Sequence, residues 1–152
     1  MWLFKKKADN PHRTPLDGPW SVSEGQHDGR EMIVRLNTAY RQFGSVAGYE
    51  HQVGIAIPLN NPEATGLPSS AEMAQLDKAE DLICNSLKAQ AESLLVGVIT
   101  TSYMREFVFY TREPHRVQER FDQLRNQVTT HEMQLLIQSD AKWRIYAQLT
   151  SA

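Results

Sequence analysis

Carboxylates that could do acid–base chemistry or hold a cation lie in three stretches of this sequence. Glu80 and Asp81 are adjacent, and Glu80 falls among apolar residues with helical spacing. Glu106 lies in a later apolar stretch, and Glu50 stands next to His51 in an earlier one. Paired carboxylates can transfer protons or bind a divalent cation. A cluster of these groups around Glu80 is therefore one hypothesis for a binding or catalytic site.

Two arginines support a competing interpretation. Arg35 and Arg105 are candidate counter-ions for the same carboxylates. A carboxylate among apolar side chains must be paired, protonated or at the mouth of a cleft, because an unpaired buried charge is costly. Structural ion pairs occupy such positions as well as functional groups do. The sequence leaves both roles of Glu80 open and favours the structural one.

Other reactive residues carry no recognisable motif. There is no Gly-rich phosphate loop and no nucleophile elbow. The five histidines show no metal-ligand spacing among themselves or with Cys84. Because this cysteine is the only one in the chain, we expect an inert core thiol and a reducing compartment. We predict no catalytic residue, no cofactor and no metal site.

One long amphipathic helix is predicted over residues 69–90. Ser69 followed by Glu72 fits a capping box, in which each side chain satisfies a free backbone N–H at the start of the helix. At about 100° per residue, Glu80 falls near the centre of an apolar face that should be buried. The apolar members of that face are Met73, Leu76, Ile83, Cys84, Leu87 and Ala91.

The surrounding stretches predict strands and a second helix. A hairpin over residues 20–37 turns at Asp28-Gly29, and alternating or apolar runs predict strands over 49–59, 94–101, 105–111 and 132–138. Pro114 suits the first turn of a helix. The predicted class is α+β, a ferredoxin-like split β-α-β with an antiparallel sheet, two helices on one face and an extra N-terminal hairpin. Residues 1–19 would be an irregular lead-in to one domain over 20–152.

Trp143 and Tyr146 close the chain three residues apart. That spacing suits one side of a helical turn, so a turn-like segment should fold Trp143 back onto the sheet. The indole would either plug the core or offer a contact to a partner, since Trp and Tyr are enriched at binding hot spots. The sequence leaves both roles open and favours the plug.

Charge and hydropathy narrow the partner classes. The net charge of −2 and the lack of a basic groove argue against nucleic acid, although Phe107 and Phe109 could stack on bases if exposed. No apolar run approaches the ~20 residues of a membrane span, so we expect no stable membrane insertion. Residues 1–7 could touch an anionic surface weakly or form a frayed terminus, and the sequence favours the frayed terminus. We expect a cytoplasmic protein.

The ordered set of polar and aromatic residues resembles a bacterial family of unknown function with a ferredoxin-like core. The residues that carry the likeness are Trp20, Glu24, Gly29, Arg35, Asn37, Gly66, Glu80, Asp81, Gly97, Arg105, Glu106, Phe107, Tyr110, Asp140, Trp143 and Tyr146. That family is similar to the regulator of ribonuclease E activity B, which inhibits an RNA-processing enzyme by binding it. The resemblance implies contact with another protein and no established activity.

Two functional hypotheses follow. The favoured one is a non-enzymatic protein-interaction or regulatory module, which would use the part of the sheet that the helices leave uncovered, with Trp143 and Tyr146 at its edge. The alternative is a small enzyme or a binder of small molecules or metals, built on the carboxylates around Glu80. It requires Glu80 to line a pocket beside Asp81, Glu50 or His51 without a neutralising arginine.

Overall fold

The computed structural model describes residues 15–101 and 103–151. The predicted N-terminal lead-in therefore lies mostly outside the described residues, as does Ser102. Within these residues the chain forms six strands and three α-helices. The strands are β1 Trp20–His27, β2 Arg30–Asn37, β3 His51–Pro58, β4 Ser93–Thr101, β5 Met104–Thr111 and β6 Gln134–Ser139. The helices are α1 Ser70–Leu87, α2 Pro114–Gln127 and α3 Arg144–Thr150.

The strands form one antiparallel sheet in the order β1-β2-β4-β5-β3-β6. The predicted hairpin is confirmed and extends the sheet through β2 and β4. Its two-residue turn places Asp28 at φ 54° and Gly29 at φ 77°, the positive angles that match the twist of the flanking strands. The α+β class with an antiparallel sheet is confirmed.

Helices α1 and α2 pack on one face of the sheet. Their apolar stripes meet the alternate residues of β3 and β5 that point the same way, with Leu76, Ile83 and Phe121 among the most buried. Phe107 and Phe109 are fully buried beneath these helices, so neither ring is available to stack on a nucleic-acid base. This face holds the larger of two apolar clusters.

The start of α1 is as predicted, but its end and buried face are not. Ser69 caps the helix by accepting a hydrogen bond from the N–H of Glu72. The helix ends at Leu87, and a short 3-10 segment follows in which Gln90 takes a left-handed conformation with φ 57°. Its buried residues are Glu72, Leu76, Ala79, Ile83 and Leu87, whereas Met73 is 39% exposed. The buried face is thus rotated toward Glu72, which leaves Glu80 at the edge instead of the centre.

The second face of the sheet carries α3 and a cluster of aromatic side chains. Trp143 is fully buried and stacks on Tyr110 with ring centroids 4.0 Å apart. It also meets Tyr146 edge to face at 5.5 Å, so the predicted turn-like segment is confirmed as a short helix. This face was expected to be uncovered, but α3 closes its β2–β4 side. None of the described helices is long and apolar enough to cross a membrane.

Candidate functional site

The predicted carboxylate cluster separates onto different parts of the fold. Glu80 lies on α1 and Glu106 on β5, where its neighbour Arg105 points toward α1 and Glu106 itself points to the opposite face. Glu50 is exposed just before β3, and its carbonyl accepts the N–H of Asp140. Of the carboxylates predicted to cluster with Glu80, only Asp81 lies beside it, one residue along the same helix.

Glu80 is neutralised by an arginine. Arg35 donates from a terminal nitrogen to Glu80 Oε1 at 2.7 Å, and the two side chains are 36% and 19% exposed. The pair lines a cleft of about 340 Å³ between α1 and the sheet. The cleft is lined by Arg35, Met73, Asp77, Glu80, Asp81 and Arg105. A neutralised carboxylate at the wall of a polar cleft fits the structural role better than the catalytic one.

Arg105 is the most buried charged group of this cleft. Its Nε donates to Thr100 Oγ1 at 3.0 Å, and a terminal nitrogen contacts Met73 Sδ at 3.3 Å. Burial, followed by the positive charge of Arg35, lowers the pKa of the Arg105 guanidinium. No carboxylate of the described residues lies within ion-pair distance of it, although Glu80 and Asp77 act on it from further away.

His51 begins β3 and is half-buried. Its backbone lies opposite Thr111 on one side and Ser139 on the other. It lines neither the cleft of Glu80 nor the surface around Glu106. The expected grouping of His51 with Glu80 does not occur.

Glu106 has a different environment from the other candidate carboxylates. It is half-buried on the second face of the sheet, where Oε2 lies only 2.6 Å from the position that a Cβ on Gly54 would occupy. None of the described residues donates a hydrogen bond to its carboxylate or forms an ion pair with it. Burial raises the pKa of the Glu106 carboxyl. It is therefore an unpaired acid held against the surface of the sheet.

A buried carboxylate–imidazole pair joins Glu72 and His131, and the sequence did not predict it. Glu72 Oε2 lies 2.6 Å from His131 Nε2, and both side chains are almost completely buried. The backbone N–H groups of Asn60 and Asn61 also donate to Glu72, at 2.5 and 2.9 Å. Burial would raise the pKa of Glu72, but these donors outweigh it and the pKa is lowered. The pair joins the start of α1 to two loops.

In the sequence, only the capping box drew attention to Glu72, and one of the two hydrogen bonds of that motif is formed. Ser69 makes its hydrogen bond as expected, but the Glu72 side chain turns to the loops instead of the helix start. Thr130 Oγ1 lies 2.9 Å from His131 Nδ1, so both ring nitrogens are occupied. All the oxygens and nitrogens of this group have partners within the chain, which is typical of a structural latch.

Glu92 is a second buried acid with its own partners. Arg116 Nε and Arg120 Nε donate to its two oxygens at 3.0 and 2.9 Å. The hydrogen bond from Arg120 is the chief cause of its lowered pKa. This three-residue network ties α2 to the loop before β4.

The aromatic candidates near the C-terminus are also internally satisfied. Trp143 Nε1 donates to the carbonyl of Tyr49 at 2.8 Å, and Tyr146 Oη donates to the carbonyl of Asn37 at 2.6 Å. Asp140 accepts the N–H groups of residues 144 and 145 together with the hydroxyl of Tyr110. With 0% of its surface exposed, Trp143 occupies the position of a core plug.

Cys84 should react slowly with alkylating reagents in the folded protein. It is half-buried, and burial followed by the charge of Glu80 raises its pKa to about 11. Because the thiolate is the nucleophile, iodoacetamide at neutral pH should modify the native thiol far more slowly than the thiol of the urea-unfolded chain. Mass spectrometry over time measures both rates, and equal rates would contradict the prediction.

Among residues 15–101 and 103–151, no three His, Cys, Asp or Glu side chains are grouped so that they could hold a metal ion. The remaining candidate features are the polar cleft of Glu80 and the unpaired Glu106. The first combines charges of both signs and can bind a polar solute. The second can accept a hydrogen bond or an ion pair from outside the chain.

Comparison with known proteins gives a family whose function is unknown. No curated protein and no solved structure matches the chain. Residues 19–150 match the model of a family described as a family of unknown function (DUF695). Because this match covers most of the sequence, the chain belongs to that family of unknown function.

Proposed function

We propose that this chain is a non-enzymatic protein-interaction or regulatory module that binds through the part of the second sheet face beside α3. The observation that carries the proposal is the half-buried carboxylate of Glu106, which has no partner among the described residues. Buried charges are normally paired, since removal from water is costly. An unpaired acid on an accessible sheet surface is a group that a partner can satisfy.

The surroundings of Glu106 support a protein partner. We call the Glu106 patch the surface made by Gly54, Ala56, Ile99, Glu106 and Leu136. Ala56 and Ile99 flank Glu106 on the adjacent strands, and Leu136 lies across from Gly54 on β6. Leu136 is 52% exposed, which is high for a leucine within a sheet. These apolar side chains are of the kind found at the centre of an interface, and Gln52 and Gln134, on the same face of the sheet, give the patch a polar margin.

The other candidate groups support a role without catalysis. Glu80, Glu72 and Glu92 each have a basic or imidazole partner within the chain. A general base must be free to take a proton from its substrate. Carboxylates held in ion pairs and a buried imidazole with both nitrogens occupied serve the fold better than such chemistry.

Site-specific photo-crosslinking in the native host tests this proposal. A benzophenone amino acid in place of Leu136 should give a discrete crosslinked product with another protein. The same group in place of the exposed Glu119, on the outer side of α2, is the matched control and should give none. Absence of a product at Leu136 at native expression, or equal products at both positions, would reject the Glu106 patch as the interaction surface.

A small-molecule binder is the second candidate, because Arg105 is buried beside the cleft without a carboxylate at ion-pair distance among the described residues. The cleft would take a polar solute through Arg35 and Arg105, with Asp77 and Asp81 at its rim. Thermal-shift screening against metals and metabolites tests this use. A ligand that raises the melting temperature of the native protein but not of Arg105→Met would support it, and no shift with any compound would reject it.

We also propose a ferredoxin-like core, kinship to a known bacterial regulator and a cytoplasmic location. The element order from β3 to β6 is β-α-β-β-α-β, which supports a ferredoxin-like split arrangement. This arrangement supports the proposal that the chain comes from a bacterial family similar to the regulator of ribonuclease E activity B. The single cysteine supports a place in the cytoplasm.

Glu106→Gln should stabilise the protein at neutral pH. Because burial raises the pKa of Glu106 above 4.5, the native chain holds a proton in a pH range where the unfolded chain has released it. Stability contributed by this group therefore falls as the pH rises from 4.5 through the raised pKa. Chemical denaturation from about pH 4 to 8 should show that the advantage of the variant grows over this window. A variant less stable than the native protein at pH 7 would contradict the prediction.

A further inference from the structure

We infer that the Glu106 patch accepts a single arginine or lysine side chain from a partner segment whose neighbouring residues are apolar. This inference rests on the proposed function and names the chemistry of the partner. Three features of the patch support it: the acid Glu106 without a partner among the described residues, the space that Gly54 leaves beneath its carboxylate, which we call the seat, and the apolar residues on the adjacent strands.

The charge requirement follows because no counter-ion for Glu106 is present among residues 15–101 and 103–151. Other buried acids of the chain have a basic or imidazole partner within 3.0 Å, as Glu92 has in Arg116 and Arg120. Glu106 has neither an ion pair nor a hydrogen bond from the described residues. Hydrogen bonds from a guanidinium or ammonium group to a carboxylate are about twice as strong as neutral ones. A basic side chain is therefore the best complement that a partner can offer.

The seat of Glu106 depends on a glycine. A Cβ on Gly54 would come within 2.6 Å of Glu106 Oε2, closer than real Cβ contacts allow. The missing side chain lets the carboxylate lie against the neighbouring strand instead of extending into water. The carboxylate therefore already lies against the surface of the patch before a partner arrives, where a donor from the partner can reach it.

The residues around the seat limit the rest of the partner segment. Ile99 and Ala56, which lie opposite Glu106 on the two adjacent strands, are half-buried and uncharged. Leu136 adds an exposed aliphatic side chain on the edge strand β6. A segment that covers these groups gains by burying apolar surface, whereas a highly charged segment does not. The fit is to one basic residue among apolar ones and not to a polybasic chain.

Selection from a random peptide library tests the inference on the purified chain. Peptides of about 16 residues should be selected on the native protein and counter-selected on Glu106→Gln, with affinities measured by titration. We expect the enriched peptides to carry one Arg or Lys beside apolar residues. Loss of the charge-assisted hydrogen bonds should weaken their binding to Glu106→Gln by about tenfold or more.

Gly54→Ala tests whether binding depends on the position of the Glu106 carboxylate as well as on its charge. This variant keeps the carboxylate but moves it, and the clash involves only the flexible end of Glu106, so the sheet should be retained. It should weaken binding as Glu106→Gln does. Glu119→Gln is the matched control and should bind the peptides like the native protein, and circular dichroism confirms that each variant is folded.

Three outcomes would overturn the inference: enriched peptides without a basic residue, equal affinity for Glu106→Gln, or Gly54→Ala binding as tightly as the native protein. A purified chain that self-associates through the patch and excludes all peptides would also overturn it. Peptides that bind the patch without depending on Glu106 would leave the interaction function standing. Basic peptides that bind while no partner is crosslinked at Leu136 would instead remove that function.

Discussion

Trp143→Ala should lower the free energy of unfolding by about 3–5 kcal/mol, the range for truncating a fully buried large aromatic side chain. The indole is 0% exposed and stacks on Tyr110 at 4.0 Å. It also contacts Tyr40 and Tyr146 edge to face at 5.6 and 5.5 Å. Removing it leaves a cavity among three rings and an unsatisfied carbonyl on Tyr49. Chemical denaturation and the melting temperature measure the loss.

Two variants separate the causes of that loss. Val22→Ala, at a side chain 64% exposed on the edge strand β1, should change stability by less than about 0.5 kcal/mol. Trp143→Phe keeps an aromatic ring but loses the hydrogen bond to Tyr49, so it should fall between the native protein and Trp143→Ala. An unchanged melting temperature in Trp143→Ala would show that the indole does not plug the core.

Glu72→Ala should destabilise the protein by about 3–5 kcal/mol at neutral pH, because it removes one side of a buried carboxylate–imidazole pair and leaves several buried donors without their acceptor. The change leaves His131 and the backbone N–H groups of Asn60 and Asn61 without their acceptor. The start of α1 and the loops at residues 60–61 and 130–131 would lose their common anchor. Urea denaturation at pH 7 gives the free energies of both proteins.

The effect of Glu72→Ala should depend on pH in a defined direction. The pKa of Glu72 is lower in the folded chain than its usual 4.5, so its contribution is complete above 4.5. That contribution is lost as the pH falls through the lowered value. The gap between native protein and variant should therefore narrow in acid. Glu63→Ala, at an exposed residue of the same loop region, should show no such gap. A gap that is constant with pH would assign the loss to packing and not to the carboxylate.

Local signals predicted much of the fold. The Asp28-Gly29 turn suits a two-residue hairpin, and Ser69 provides the cap at which α1 begins. Both depend on residues within a few positions of each other. The buried face of α1 was predicted wrongly in part, because Met73 and Cys84 are apolar but the sheet contacts the stripe that contains Glu72 and Ala79. Tertiary packing, and not helical periodicity, decided which face was buried.

The candidate site was harder to predict because its groups meet across long stretches of chain. Glu72 lies 59 positions from His131, and no spacing rule relates the two. The position of the Glu106 carboxylate depends on Gly54, which becomes its neighbour only through the register of β3 and β5. Arg35 was a candidate partner for Glu80, and the ion pair between them fits the structural role that the sequence favoured. The sequence shows which residues are charged, but only the folded structure shows which of them form ion pairs and which do not.

The position of β3 in the sheet has a consequence for synthesis. Both of its partners, β5 and β6, come later in the chain, and Gln52 hydrogen-bonds to a residue 86 positions away. A ribosome therefore releases β3 before either neighbour exists, and one side of the strand stays unpaired until Ser139 has been made. An uncovered strand edge is a template for association between chains. Nascent chains that stall before β6 would expose that edge beside the core residues Val53, Ile55 and Ile57, so completion of β6 covers the last open edge of a strand that supplies much of the core.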